Sequence, residues 1–185
     1  MKGSTSTAQS RKILLLDTCV VLHACRLGIW GSLTANRRIA VPESVVGEIV
    51  LQLREEEFDG VSLDIEREVE DGKVEQPSLL ASELKIVRQL SGPEFRGAWD
   101  DGELECVACL LHEKYAGSLV CSSDAVVFRF LGWTRQNGKG ISLEEVLKDL
   151  GGPRRQLLDR LTRRYREYWT KRGFQEAFQS GVITP

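Results

Sequence analysis

The sequence predicts an α/β protein: a three-layer α/β/α sandwich with a mainly parallel central sheet, followed by a C-terminal helical extension. Three observations lead there. Short apolar runs alternate with longer helical patterns, the order that builds parallel sheets. Two of those runs end on a carboxylate, Asp17 and Asp124, as strands do when a site lies beyond their carboxyl ends. The chain has 185 residues and is 42% hydrophobic, enough for one domain with a full core but a tight fit for two.

The elements follow in order. Residues 1–10, MKGSTSTAQS, lack the apolar core of a signal peptide and read as a disordered leader. Residues 13–16 form the first strand and run into an apolar-periodic helix at about 20–29. IAV at 39–41 reads as a second strand. Pro42 then suits the first turn of a helix at about 43–57. A polar helical piece at 63–70 closes on Asp71-Gly72. Ser78 is the expected N-cap of a helix at 80–90, which stops at Ser91-Gly92-Pro93. DDGELECVACLLHEKY is an apolar helix with acids at its N-terminus, where the helix dipole favours them. LVCSSD at 119–124 repeats the opening design, a strand ending on an acid. Helices at 125–131 and in ISLEEVLKDLGG follow, and PRRQLLDRLTRRYREYWTKR reads as one basic helix. The resulting organisation is a leader at 1–10, an α/β domain at 11–150 and a basic amphipathic tail at 151–185.

The net charge of −2 hides an asymmetry. Residues 153–172 hold eight basic and two acidic side chains, a surplus of six that leaves the rest of the chain at −8. Leu157, Leu158, Leu161, Tyr165, Tyr168 and Trp169 recur at helical spacing, so the tail has one apolar face. Docking of that face on the domain is one reading. Another is an RNA-binding edge, in which Arg160, Arg163 and Arg164 neutralise phosphates. A surface for self-association or for an acidic protein partner is a third. No run approaches the apolar length of a membrane span, so a cytoplasmic protein without a membrane partner is expected. The five cysteines are expected to be reduced thiols. Cys106 and Cys109, without a second pair at zinc spacing, read as small residues on a buried helix face.

A buried carboxylate needs a partner or a metal. Asp17 and Asp124 meet if their strands are neighbours. Glu48 in VVGEIVLQL and Glu105 in GELECVACLL sit on apolar helices and complete a cluster of four if both helices start at the same sheet edge. Asp101, four residues before Glu105, and Glu103 are further candidates. Like charges packed together raise one another's pKa, and divalent cations relieve them. Oxygen ligands without His or Cys suit Mg²⁺ or Mn²⁺, whose chemistry is metal-assisted phosphoryl transfer. Each acid also has a plainer reading, as an N-cap for Asp17 or Asp124 and an exposed helix position for Glu48.

These motifs, LLLDTC, VPESVVGEIV, DGELECVACLL and CSSD, stand in an order that resembles the PIN-domain nucleases over residues 11–150. The resemblance implies Mg²⁺- or Mn²⁺-dependent endonucleolytic cleavage of single-stranded RNA, with Asp17, Glu48, Glu105 and Asp124 as metal ligands and Ser122 as a supporting donor. It also implies a toxin of a toxin–antitoxin pair, with an antitoxin as partner, or an RNA-processing enzyme. Cys19 departs from the Asn or Ser usual at its position. A catalytically inactive PIN-like module that binds RNA or protein is the alternative. A haloacid dehalogenase-type phosphatase would want a second Asp where Cys19 stands, and no GxGxxG follows the first strand for a dinucleotide fold.

Overall fold

The structure is a computed structural model that describes residues 12–54, 60–151 and 155–181. Five parallel strands form one sheet in the order β3-β2-β1-β4-β5: β1 Ile13–Leu16, β2 Arg38–Ala40, β3 Val74–Glu75, β4 Leu119–Cys121 and β5 Gly140–Ile141. All four side chains of β1 are buried. Successive strand residues face opposite sides, so both faces of the sheet are covered, as a three-layer sandwich requires.

Strand order follows from connectivity. From β1 the chain steps outward to β2 and β3, then crosses back to β4 on the other side of β1 and on to β5. The direction in which successive strands are added to the sheet therefore reverses between β1 and β4, which pair directly and in parallel, with Leu16 opposite Cys121. That gap between two carboxyl ends is the topological switch point where open α/β sheets bind ligands.

The helices are α1 Thr18–Arg26, α2 Trp30–Asn36, α3 Glu43–Gln52, α4 Ile65–Glu70, α5 Ala81–Ser91, α6 Asp101–Leu111, α7 Ala125–Trp133, α8 Leu143–Asp149 and α9 Arg163–Gln179. Several bounds differ from the sequence reading. The first helical stretch splits at Gly28, whose φ of 66° breaks the helix, and α2 follows. Helix α3 ends at Gln52 with Leu53 as its C-cap; positions 55–57 of the expected helix lie outside the described residues. Ser78 is not a cap: Leu80 takes that place, and the Glu83 carboxylate accepts the Leu80 N–H at 2.6 Å. Ile141 belongs to β5, and Ser142 caps α8 in a capping box with Glu145. Strands β3 and β5 have two residues each, too few to show a period in sequence.

The tail departs most from expectation. Residues 155–158 are irregular, Asp159–Leu161 is a 3₁₀ turn, and helix α9 begins only at Arg163 and runs on to Gln179. Thr162 starts it by accepting the Tyr165 N–H, and the Glu144 carboxylate accepts the Arg163 N–H at 2.7 Å. Position 153 and the leader at 1–10 lie outside the described residues. Helix α9 packs against α7 at two glycines. A Cβ on Gly132 would stand 1.9 Å from the Thr170 carbonyl oxygen, and one on Gly173 would stand 1.8 Å from the Arg129 carbonyl oxygen. The ion pair of Arg129 with Glu176 closes one end of this contact. Arg166 forks onto both oxygens of Glu145 at 2.8 and 2.9 Å. Leu161, Thr170 and Ala177 are buried and Leu157, Tyr165 and Trp169 are partly buried against the core, so the tail docks on the domain, but Leu158 and Tyr168 of the expected apolar face are exposed.

No side chain fits at either glycine without parting the helices. Gly173→Ala and Gly132→Ala are each expected to cost about 2 kcal/mol or more of stability, read as a lowered urea midpoint. A surface alanine such as Gln175→Ala should leave it in place.

Candidate functional site

Asp17 follows β1 directly and is buried. Its Oδ1 accepts the Val20 N–H at 2.8 Å and so caps α1. Its Oδ2 accepts the Ser122 hydroxyl and the Ser123 N–H, both at 2.7 Å. Ser122, also buried, accepts the Asp124 N–H at 2.9 Å through the same hydroxyl oxygen. One carboxylate therefore ties the end of β1 to the loop after β4. Burial pushes the Asp17 pKa up; hydrogen bonds from Ser122, Ser123 and Val20 oppose that, and the Asp124 charge adds to it.

Asp124 caps α7 by accepting the Val126 N–H at 2.8 Å. The plain N-cap reading thus holds for both strand-end acids, and capping is also what aims them. Glu48, on α3, accepts the Thr18 hydroxyl at 2.5 Å. Its pKa is raised, first by burial and then by the charges of Asp100, Asp17 and Asp101, against the Thr18 hydrogen bond. Gly102 lets the start of α6 come this close: a Cβ there would lie 3.0 Å from Val45 and 3.4 Å from the Glu48 carboxylate.

The acid that α6 turns into the cleft is Glu103. It is buried, and with Asp100 it forms a capping box, accepting the Asp100 N–H while Asp100 accepts its own. Burial, followed by the charges of Asp124 and Asp100 and a hydrogen bond shared with Asp124, pushes its pKa up to about 9. Burial and the neighbouring carboxylates thus favour the protonated form of this carboxyl.

Glu105 does not join the cluster. Its carboxylate accepts the Ser44 N–H at 3.1 Å and the Ser44 hydroxyl at 2.7 Å. Pro42, at the N-cap of α3, offers no side-chain cap, and Glu105 supplies one from another helix. Two residues along a helix turn the side chain by about 200°, so Glu103 and Glu105 cannot share a face. The expected placement of Glu105 is corrected accordingly. The D-x-x-E spacing of Asp100 and Glu103 is the signal that marks the better residue. Asp101 is also outside the cleft, its side chain 83% exposed and 4.0 Å from Arg88.

Asp17, Glu48, Asp100, Glu103 and Asp124 line a cleft of about 200 Å³ together with Thr18, Cys19, Gln52, Ser123 and Arg160. No family model and no curated protein matches this chain. What the site can do is therefore argued from its chemistry. Its donors are oxygens, the set that suits Mg²⁺ or Mn²⁺. Among the described residues, no three acid, His or Cys side chains are yet drawn together tightly enough to hold a metal. Asp17, Glu48 and Glu103 are each engaged by a hydrogen bond, and closing on an ion would take Glu48 off Thr18 and the proton off Glu103. The donor type fits such an ion.

The cysteines keep away from this chemistry, with one exception. Cys106 and Cys109 are buried, burial raises both thiol pKa values, and the Cys106 thiol lies 3.6 Å from the Leu16 carbonyl oxygen. Cys19 lines the cleft, its sulfur 3.6 Å from His23 Nδ1. Of the three arginines named for phosphate contact, Arg163 pairs with Glu167 at 2.6 Å and Arg164 with Asp159 at 2.7 Å; Arg160 reaches the cleft. No described helix is long and apolar enough to cross a membrane.

The raised pKa of Glu103 makes a pH prediction. Folding raises this carboxyl from its ordinary 4.5 to about 9, so between those values the folded state binds more protons than the unfolded. Its contribution to stability is full below the lower value and is lost as pH rises through the upper one. With chelator present, the urea midpoint should fall between about pH 5 and about pH 9, and Glu103→Gln should flatten that fall. An unchanged slope in the variant would mean that Glu103 is ionised at neutral pH.

Proposed function

We propose that this chain is a divalent-metal-dependent ribonuclease of the PIN type, cutting single-stranded RNA endonucleolytically. The observation that carries the reading is that four carboxylates from four separate elements, Asp17, Glu48, Glu103 and Asp124, line one cleft at the switch point between β1 and β4. These four would hold Mg²⁺ or Mn²⁺, with Glu103 in the role first assigned to Glu105. When bound, such an ion lowers the pKa of a water toward neutrality and stabilises charge on a phosphate.

The chain's own residues prepare that chemistry. The Ser122 hydroxyl and the Ser123 N–H hold Asp17 in one orientation, and the Thr18 hydroxyl does the same for Glu48. Asp124 is fixed by capping α7. Glu103 would have to give up its proton to ligate a cation, so metal affinity is expected to rise with pH over the range in which that carboxyl titrates. An acidic cleft without a cation repels a phosphodiester; with one it attracts it.

The test compares two glutamates on one helix. Purified protein is incubated with a mixed RNA pool and Mn²⁺, and in parallel with chelator. Metal-dependent cleavage is expected. Asp17→Asn and Glu103→Gln should each lower it by roughly 100-fold or more. Glu105→Gln should keep most of the activity and instead cost about 0.5–2 kcal/mol of stability through the lost α3 cap. Activity lost in Glu105→Gln and kept in Glu103→Gln would overturn the ligand set. No metal-dependent cleavage of any RNA would favour the inactive, RNA- or protein-binding module.

A further inference from the structure

Among the described residues, the basic tail contributes one cation, Arg160, to the acidic cleft. Arg160 is the one basic residue among the described residues that line it. It sits on the 3₁₀ turn Asp159–Leu161, which is pinned by the fully buried Leu161 and by the Thr162 hydroxyl donating to the Asp159 carbonyl at 2.6 Å. The arginines around it are committed within the fold: Arg163 to Glu167, Arg164 to Asp159, Arg166 to Glu145 and Arg172 to Glu176. Arg160 makes no such ion pair with a described residue, although five acids line the same cleft. A guanidinium placed there to neutralise the acids would fork onto one of them, as Arg166 does onto Glu145. Tyr165, on the first turn of α9, lies in the field of both Asp124 and Arg160: burial and the Asp124 charge raise its pKa, and Arg160 opposes them. The start of α9 thus stands against the strand-end acids.

Resting on the ribonuclease reading, we infer that Arg160 is a substrate-binding residue: its guanidinium takes an RNA phosphate at the lip of the cleft and holds the strand over carboxylates that would otherwise repel it. The fork of donors on a planar guanidinium matches a phosphate bidentately. Arg163 and Arg164 are each paired with a neighbouring acid, Glu167 and Asp159, and neither lines the cleft, so they are expected to contribute less to affinity than Arg160.

The test measures binding and cleavage separately. Binding of a short fluorescein-labelled poly(U) RNA is followed by anisotropy in chelator, across a salt series. Cleavage of the same RNA with Mn²⁺ gives kcat and KM. Arg160→Gln is expected to raise Kd and KM about tenfold with kcat changed only a few-fold, and to reduce the slope of log Kd against log salt by about 0.7, one phosphate's worth on a single strand. Arg160→Lys should recover part of the affinity. The double variant Arg163→Gln/Arg164→Gln should bind like the parent. The side chain is exposed, so an unchanged melting temperature confirms that Arg160→Gln is folded. Parental Kd and salt slope in Arg160→Gln overturn the inference, whether or not the parent cleaves. Arg160-dependent binding in a protein that never cleaves leaves the inference standing and removes the nuclease reading. A parent that does not bind RNA at all overturns both.

Discussion

The buried carboxylate of Asp17 is the constraint around which the rest of this molecule is arranged. An ionised group at the end of a central strand carries a large desolvation cost unless donors surround it. Here they come from three places: the Val20 N–H of α1, the Ser122 hydroxyl and the Ser123 N–H. Satisfying Asp17 therefore fixes the start of α1 and the loop after β4 in one step. The adjacency of β1 and β4, on which the site depends, is held both by the sheet ladder and by this side chain.

The same logic explains how so many acids tolerate one another. Asp17 caps α1, Asp100 caps α6 and Asp124 caps α7. Three helix N-termini thus border the cleft, each presenting the positive end of a helix dipole. These partial charges offset part of the repulsion, and the raised pKa of Glu103, which favours its neutral form, acts in the same direction. Glu105 serves the same need one step away, capping α3, where Pro42 cannot. Helix capping positions the carboxylates of Asp17, Asp100 and Asp124 around the cleft.

The tail belongs to this arrangement and is not an appendage. Backbone contact at Gly132 and Gly173 brings α9 against α7, the helix that Asp124 caps. Ion pairs from Arg166 and Arg129 hold it there. Four of the eight basic residues at 153–172, namely Arg163, Arg164, Arg166 and Arg172, are engaged in ion pairs. What remains for the cleft is Arg160, delivered by a turn that the buried Leu161 anchors.

The sequence by itself determined the parts whose signal is local. The apolar run into Asp17, its repetition at Asp124, the α/β alternation, the buried Cys106 and Cys109 and the involvement of Glu48 are all legible in short windows, because burial at a strand end or on a helix face leaves a nearby pattern. Tertiary structure decided the rest. Which α6 glutamate faces the cleft depends on the rotation of that helix about its axis, and two residues are enough to reverse the answer. The two-residue strands β3 and β5 exist because neighbouring strands offer them partners. The start of α9 at Arg163 depends on Glu144, nineteen residues earlier, and the fate of each arginine on whichever acid the fold brings within reach. Periodicity along a chain records what is buried; only packing decides what it is buried against.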